Sequence, residues 1–411
     1  MSGKKSILLE AYDCDPYKGS EFSRSWNWAT NYTKAGYEVW CLTSIRGKEG
    51  IERFLKANSY PNLHFIFVAV SRRLDRIATQ GDSAFLYLHY LLWLSKALKA
   101  ARNVCKDHSF EFAHHVSWGS LQGGSHLWRL DLPLVFGPVG GGQYPPSIFK
   151  EDFYEGWRSE QIRKLIGYLF INYNPNTIKT LRKALGTLVV NQDTKKLAIN
   201  LGAREVQTFI DVNLNADILP DKYPGRKSQQ KLRVLWVGGL KFRKGLPLVL
   251  EALSHVPKDI PLHLTIYGDG EFSKYLPKLI DQLEVNDRVS WKGSVPHSQL
   301  QSAYMSHDVF MFCTMRESLG LQFFEAMSYG LPIITLDLHG AKTAVPDDAS
   351  IKVKVLKRFQ VINDLTKAVI FMQQHPLERV EMGKRAFHFT KKLSTLDKVK
   401  TIEKLVYKSK K

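Results

Sequence analysis

Arg233-Val-Leu-Trp-Val-Gly-Gly-Leu-Lys-Phe-Arg-Lys-Gly245 leads directly into Leu246-Pro-Leu-Val-Leu-Glu-Ala-Leu-Ser254. The first five residues are a short run rich in Val, Leu and Trp, the pattern of a buried strand. A glycine turn carrying cations follows, and then nine residues with the apolar content of a packed helix. Strand, glycine turn and helix form the repeating unit of a parallel sheet. Working outward, the same alternation fills the chain. Strands are expected at Ser6–Ala11, Glu38–Thr43, His64–Val70, Phe112–Ser117, Leu134–Val139, Thr187–Asn191 and Val206–Ile210. A second series is expected at Arg233–Val237, His263–Tyr267, Val289–Lys292, Val309–Cys313 and Ile333–Leu336. Helical periodicity lies between them, for example at Leu86–Lys106, Leu246–Ser254, Leu321–Tyr329 and Leu365–Gln374.

Asn213–Gln230 is polar, holds Pro220, Pro224 and Gly225, and has no periodicity, so it reads as a linker. The expected fold is therefore α/β, with two Rossmann-like doubly wound domains facing an inter-domain cleft. The expected parts are a first domain at 1–212, the linker 213–230, a second domain at 231–390, and a basic helical tail at 391–411. Phe85–Leu94 is dense in Tyr, Leu and Trp and reads as a core helix rather than a membrane-lying one.

The 411 residues are 44% hydrophobic and 12% aromatic, which excludes a disordered or fibrous chain. Cys14, Cys41, Cys105 and Cys313 lie far apart with no CxxC, so neither a disulfide framework nor a zinc ribbon is expected. Only a short apolar run follows Met-Ser-Gly-Lys-Lys, and no apolar stretch approaches the length of a membrane span. The expectation is a cytoplasmic protein. Its net charge of +19 is unevenly spread: +9 over 1–200, +5 over 201–250, −6 over 251–350 and +11 over 351–411. No basic stripe interleaved with aromatics accompanies it, so nucleic acid is not an expected partner. A basic face could instead hold the protein on the anionic inner surface of a membrane.

Ligands of open α/β sheets bind beyond the carboxyl ends of the strands, and the chemistry-bearing motifs fall there. Glu317-Ser-Leu-Gly-Leu-Gln-Phe-Phe-Glu325 follows the strand ending near Cys313. The amides of Ser318, Leu319 and Gly320 at a helix start would suit a phosphate. Glu317, in the loop, could bind sugar hydroxyls, and Glu325, a turn into the helix, the diol of a ribose. On spacing alone, the same residues also fit carboxylates placed for the helix dipole. In Gly238–Gly245, Gly239 with Arg243 and Lys244 suits a pyrophosphate, although the GKS/T end of a Walker loop is missing. Gly268 opens a further turn after a strand. In the first half, Gly19, Ser20 and Glu21 follow the first strand, and Gly140 and Gly141 follow Leu134–Val139.

Taken in order, these residues resemble the retaining glycosyltransferases of family 4, whose fold is the two-domain GT-B fold. The resemblance runs from about Ile7 to about Leu393. It rests on the E-x7-E pair with Ala326-Met327 and Gly330-Leu-Pro332, on Val237–Gly245, on Gly137–Gly142, and on Asp15–Glu21 with Trp26 and Trp28. It implies a hexose transferred, with retention, from a nucleotide-sugar donor to a glycan or lipid-linked glycan acceptor in cell-surface polysaccharide synthesis. Glu317 would support the developing oxocarbenium charge, Glu325 would hold the ribose, and Lys244 would stabilise the departing diphosphate without a metal or other cofactor. The domain at 1–212 would bind the acceptor and that at 231–390 the nucleotide-sugar, and the last helix would cross back to the first domain. A histidine near the reacting sugar is also implied, and His114 or His115 could supply it. Adjacent strand residues face opposite ways, so one at most can reach a ligand, and His115 is the favoured one. One departure stands out: the family pattern has Arg where this chain has Gly239, and Arg243 is the residue that could replace it. That departure keeps open a non-catalytic nucleotide-sugar binder of the same fold. UDP-sugar 2-epimerases share the fold but not the pattern around the E-x7-E pair.

Overall fold

The computed structural model describes residues 5–19, 21–80, 83–212, 219–226, 230–394 and 397–408. The chain forms two compact units. One comprises residues 1–142, 165–213 and 397–411, and the other 143–164 and 214–396. Part of the expected linker, 213–218 and 227–229, lies outside the described residues.

The first unit carries seven parallel strands: β1 (Ser6–Ala11), β2 (Glu38–Ser44), β3 (Leu63–Val68), β4 (Phe112–Ser117), β5 (Leu134–Val139), β6 (Gly186–Val189) and β7 (Val206–Thr208), in the order β3-β2-β1-β4-β5-β6-β7. Its helices are α1 (Glu21–Lys34), α2 (Lys48–Ala57), α3 (Arg72–Gln80) and α4 (Ser83–Asp107). Then come α5 (Trp157–Asn172), whose first half belongs to the other unit, α6 (Pro175–Lys183) and α7 (Gln192–Asn200). Each face of the sheet is covered by its own apolar core. Ile7, Leu9, Trp28 and Tyr32 lie in one, and Leu8, Tyr90, Trp93 and Phe136 in the other. Successive residues of β1 thus alternate between the two cores, as the pleat requires. Tyr90, Trp93 and Leu94 are fully buried, so α4 is a core helix.

The second unit holds β8 (Leu232–Val237), β9 (Leu262–Tyr267), β10 (Val289–Trp291), β11 (Val309–Met311), β12 (Ile333–Leu336) and β13 (Ser350–Val353), in the order β10-β9-β8-β11-β12-β13. Its pairings are all parallel. The helices are α8 (Leu246–Ser254), α9 (Leu276–Gln282), α10 (His297–Ser306), α11 (Leu321–Ser328), α12 (His339–Ala344), α13 (Arg358–Gln374) and α14 (Pro376–Ser394). The final helix, α15 (Lys398–Lys408), belongs to the first unit.

Two features depart from the sequence reading. β13 was not expected, because Ser350-Ile-Lys-Val353 is only four residues long and carries a lysine, as suits the edge of a sheet. Residues 143–164 continue the first half in sequence but join the second unit, where Arg358 pairs with Asp152 at 2.7 Å and Arg316 with Glu160 at 2.7 Å. No helix among the described residues is long and apolar enough to cross a membrane.

Candidate functional site

In the second sheet the chain builds outward from β8 on one side and from β11 on the other. The switch point, where a crevice opens beyond the strand ends, therefore lies between β8 and β11. The loops leaving these two strands are joined to each other. The Met315 amide donates to the Arg243 carbonyl at 2.8 Å, and the Arg243 guanidinium donates to the Arg316 carbonyl at 2.8 Å. Gly245 has φ +69°, and a Cβ there would lie 1.9 Å from the Cys313 carbonyl oxygen, so only glycine permits the approach.

This junction brings Lys244, Arg243 and Glu317 together. Lys244 is almost fully buried and pairs with the Glu317 carboxylate, which Arg243 also meets at 3.2 Å. Burial alone would raise the Glu317 carboxyl, but the charges of Lys244 and Arg243 outweigh it and hold the group below the usual carboxylate range. Burial lowers the Lys244 ammonium, and neighbouring Arg243 and Arg316 add to the effect against the opposing pull of Glu317. Arg316, pushed down to about 10 by burial, is held by Glu160. Two cations thus crowd the Glu317 carboxylate, with the Arg316–Glu160 pair beside them, an excess of positive charge suited to an anion of more than one charge.

The expected anion-binding turn lies next to it. Gly320, at φ +82°, begins α11, and the Ser318, Leu319 and Gly320 backbone passes in front of the helix start. Gly340 is held against this turn: its amide donates to the Glu317 carbonyl at 3.0 Å, and a Cβ there would come within 2.6 Å of Ser318. The Ser318 hydroxyl donates to Gln143 at 3.0 Å. Glu325 lies one turn into α11 and accepts from the Tyr304 hydroxyl at 2.9 Å. Gly268 packs so tightly that a Cβ would lie 1.8 Å from the Gly238 carbonyl oxygen. At Gly239, by contrast, a Cβ would meet only the Asp269 carbonyl oxygen, at 3.9 Å. Sequence reasoning missed Tyr304, Arg316 with Glu160, Gln143 and His339, whose Nε2 lies 2.8 Å from the Tyr144 carbonyl oxygen. None of them belongs to a local motif. Among the described residues, no group of three or more His, Cys, Asp or Glu side chains is placed to hold a metal.

In the first unit, Glu21 opens α1 and its carboxylate accepts from the Gly119 amide at 3.1 Å, while the Gly140 amide donates to the Gly119 carbonyl at 2.8 Å. Gly141 accepts from Thr194 at 3.0 Å, and Gly19 faces open space. Ser20 lies outside the described residues. The loops after β1, β4 and β5 are therefore linked at the strand ends. His114 and His115 take opposite faces as expected, yet neither reaches a surface: both are fully buried. His114 lies between the Tyr32 hydroxyl at 2.8 Å and the Gly137 carbonyl at 2.7 Å, and burial lowers it to about 3. His115 lies between the Glu10 carboxylate at 2.6 Å and the Trp118 carbonyl at 3.2 Å, so both of its ring nitrogens are occupied.

Residues 220–389 match the family of glycosyl transferases group 1. The group 1 match contains the site residues from Gly238 to Gly340, while Gln143, Tyr144 and Glu160 of the same unit lie outside it. Poly(glycerol-phosphate) alpha-glucosyltransferase of Bacillus subtilis is 29% identical over 169 residues, which is 40% of this chain and 24% of that protein. The chain spans between 22% and 41% of the length of eight curated relatives it matches. Among solved structures, sucrose-phosphate synthase of Thermosynechococcus elongatus superposes over 99% of both chains with a TM-score of 0.67 at 16% identity. HepE of Anabaena, solved with UDP, superposes over 94% of this chain and 95% of its own with a TM-score of 0.59 at 13% identity. Both likenesses establish the two-domain GT-B fold.

Proposed function

We propose that the protein is a glycosyltransferase that moves a hexose, with retention and without a metal, from a nucleotide-sugar donor to a glycan or lipid-linked glycan acceptor in cell-surface polysaccharide synthesis. The observation that carries this reading is the Lys244–Glu317–Arg243 cluster at the β8–β11 switch point, beside the start of α11. A donor diphosphate would draw Lys244 and Arg243 to its own oxygens and leave the Glu317 carboxylate for hexose hydroxyls. The two cations would then stabilise the charge that grows on the departing diphosphate. Glu325, fixed by Tyr304, is set to accept from a ribose diol. His115, closed between Glu10 and Trp118, would act by positioning the loop after β4. With no carboxylate nucleophile evident among the described residues of the first unit, same-face displacement fits best, the departing phosphate taking the acceptor proton.

Thermal-shift binding across UDP-, GDP-, ADP- and TDP-sugars, with Glu325→Ala as control, tests the reading. A shift for one donor, lost in the variant, is expected. HepE was solved with UDP, which makes UDP-sugars the first donors to try. No shift with any of them overturns it. The open position at Gly239 favours the second reading, a nucleotide-sugar binder without turnover, which would show the shift but no transfer.

A membrane surface as partner is supported by α5, where Ile162, Leu165, Ile166 and Leu169 form one stripe, each 47–61% exposed and continued by the exposed Tyr173 just past the helix, with Arg158 and Lys164 exposed on the same helix. Pelleting with anionic vesicles, weakened in Leu165→Asp, is the expected result. Equal pelleting of the variant would remove the helix from the account.

A further inference from the structure

Beyond the carboxyl ends of β1, β2 and β3 the first unit holds a cavity of about 670 Å³. Lys18 reaches it from the loop after β1, Arg46 from the turn after β2, Arg53 from α2, and Arg72 and Arg76 from α3. Strand ends of an open parallel sheet are where such folds take ligands, and these three strands lie to one side of the β1–β4 switch point. Asp15, Tyr17 and Lys18 of the Asp15–Glu21 stretch line it, but none of the candidate site residues does.

The charges in this cavity do not balance one another. Lys18 is met by Asp15 at 3.3 Å and Arg46 by the buried Asp13 at 2.5 Å. The Asp75 carboxylate is taken by His89 at 2.7 Å. Against the one remaining carboxylate, Glu49, stand Arg53, Arg72 and Arg76, and none of the three makes an ion pair among the described residues. Arg53 instead lies over the Tyr17 ring, 4.2 Å from its centroid, and that ring is 55% exposed. Solvated cations scattered over a helix face would account for any one of these arginines. They do not account for three from two helices lining one concave space, around an aromatic ring and an anchored Arg46. Guanidinium forks match phosphate oxygens two at a time, and an exposed ring beside them offers a stacking face to a sugar.

We propose that this cavity binds a phosphate monoester carried on a saccharide, and that in the transferase it is the acceptor's phosphate that sits there. The first part stands on the cavity alone; the second rests on the proposed function.

The test is calorimetric titration of the whole chain with glucose 6-phosphate, inorganic phosphate, glucose and vesicles of anionic phospholipid, in the native protein and in an Arg72→Gln/Arg76→Gln variant. Both arginines are exposed and make no ion pair among the described residues, so the variant should fold, as circular dichroism will show. Glucose 6-phosphate is expected to bind more tightly than phosphate or glucose alone, and the double substitution to weaken it about tenfold or more. The thermal shift given by the nucleotide-sugar donor should not change. Absence of glucose 6-phosphate binding, or binding unaffected by the variant, overturns the proposal. So does equal affinity for inorganic phosphate, or vesicle binding lost in the variant where glucose 6-phosphate does not bind at all. Glucose 6-phosphate binding that depends on Arg72 and Arg76, with no response to any nucleotide sugar, would uphold the site and defeat the transferase reading instead.

Discussion

Glu317 is held ionised by two cations, and its removal should be felt twice. Glu317→Gln leaves Lys244 and Arg243 without their shared counter-charge, so urea denaturation should show a loss of about 1–3 kcal/mol. Transfer activity should fall at least about 100-fold, since the substitution also removes the group placed for the reacting sugar. A variant as active as the native protein would exclude Glu317 from the chemistry. Gly239 makes the opposite case. Its backbone is outside the left-handed region and a Cβ there meets nothing closer than 3.9 Å, so Gly239→Arg should be tolerated. A guanidinium reaching the diphosphate should tighten donor binding several-fold in calorimetry, with the melting temperature unchanged. No gain would mean that Arg243 already does this work. His114 sets a pH limit on the first unit. Its folded pKa of about 3 lies below the ordinary value of 6.5, so between those values the unfolded chain binds a proton that the native state refuses. Stability should therefore be unaffected above pH 6.5 and fall by about 1.4 kcal/mol per unit of pH below it, down to about pH 3. His114→Gln should be less stable at pH 7 and show a flatter decline on acidification.

The sequence was most informative at the scale of elements. The run Val234–Val237 and the glycines after it were legible because a buried parallel strand needs a continuous apolar run and a close loop–loop approach needs glycine. Gly245 is the clearest instance, and it makes a prediction for the element pair it joins. Gly245→Ala must place a methyl against the Cys313 carbonyl while holding φ near +69°, so the loops after β8 and β11 should part. A loss of about 2 kcal/mol or more in denaturation is expected, together with the donor-induced thermal shift. Retained donor binding would show that the junction does not set the site. What the sequence left hidden has equally physical causes. β13 is too short and too charged to show a period, and the Glu160–Arg316 pair joins residues 156 positions apart. The depth of the two histidines is hidden from the sequence because pleat geometry fixes which face a side chain takes but not how deep that face is buried. β4 is covered on both sides, so both rings became core groups.

At the scale of the whole molecule, the chain's last helix completes its first unit. Val399, Ile402, Leu405 and Val406 of α15 enter the same core as Ile7, Leu9 and Trp28, although nearly the full length of the chain separates them. Two polar contacts fix the register: Tyr37 donates to Glu403 at 2.8 Å, and Lys398 donates to Asp211 at 2.8 Å. Asp211 is fully buried and also takes the Trp28 indole N–H at 2.9 Å. Lys398 and Arg24 overcome the burial that would raise it and hold its carboxyl below the usual range. The tail's basic composition alone would suggest a solvated appendage; its apolar residues at 399, 402, 405 and 406 carry the helical spacing that makes it a core element. Ile402 has no exposed surface, so Ile402→Ala should cost about 2–5 kcal/mol. The loss should fall on the first unit. Amide exchange in β1 and β4 should accelerate in the variant while β8 and β11 keep their protection. If exchange rises equally in both sheets, the two units unfold as one cooperative body. If it rises in neither, α15 is peripheral to the fold, and the contacts at Asp211 and Tyr37 do not hold it in solution.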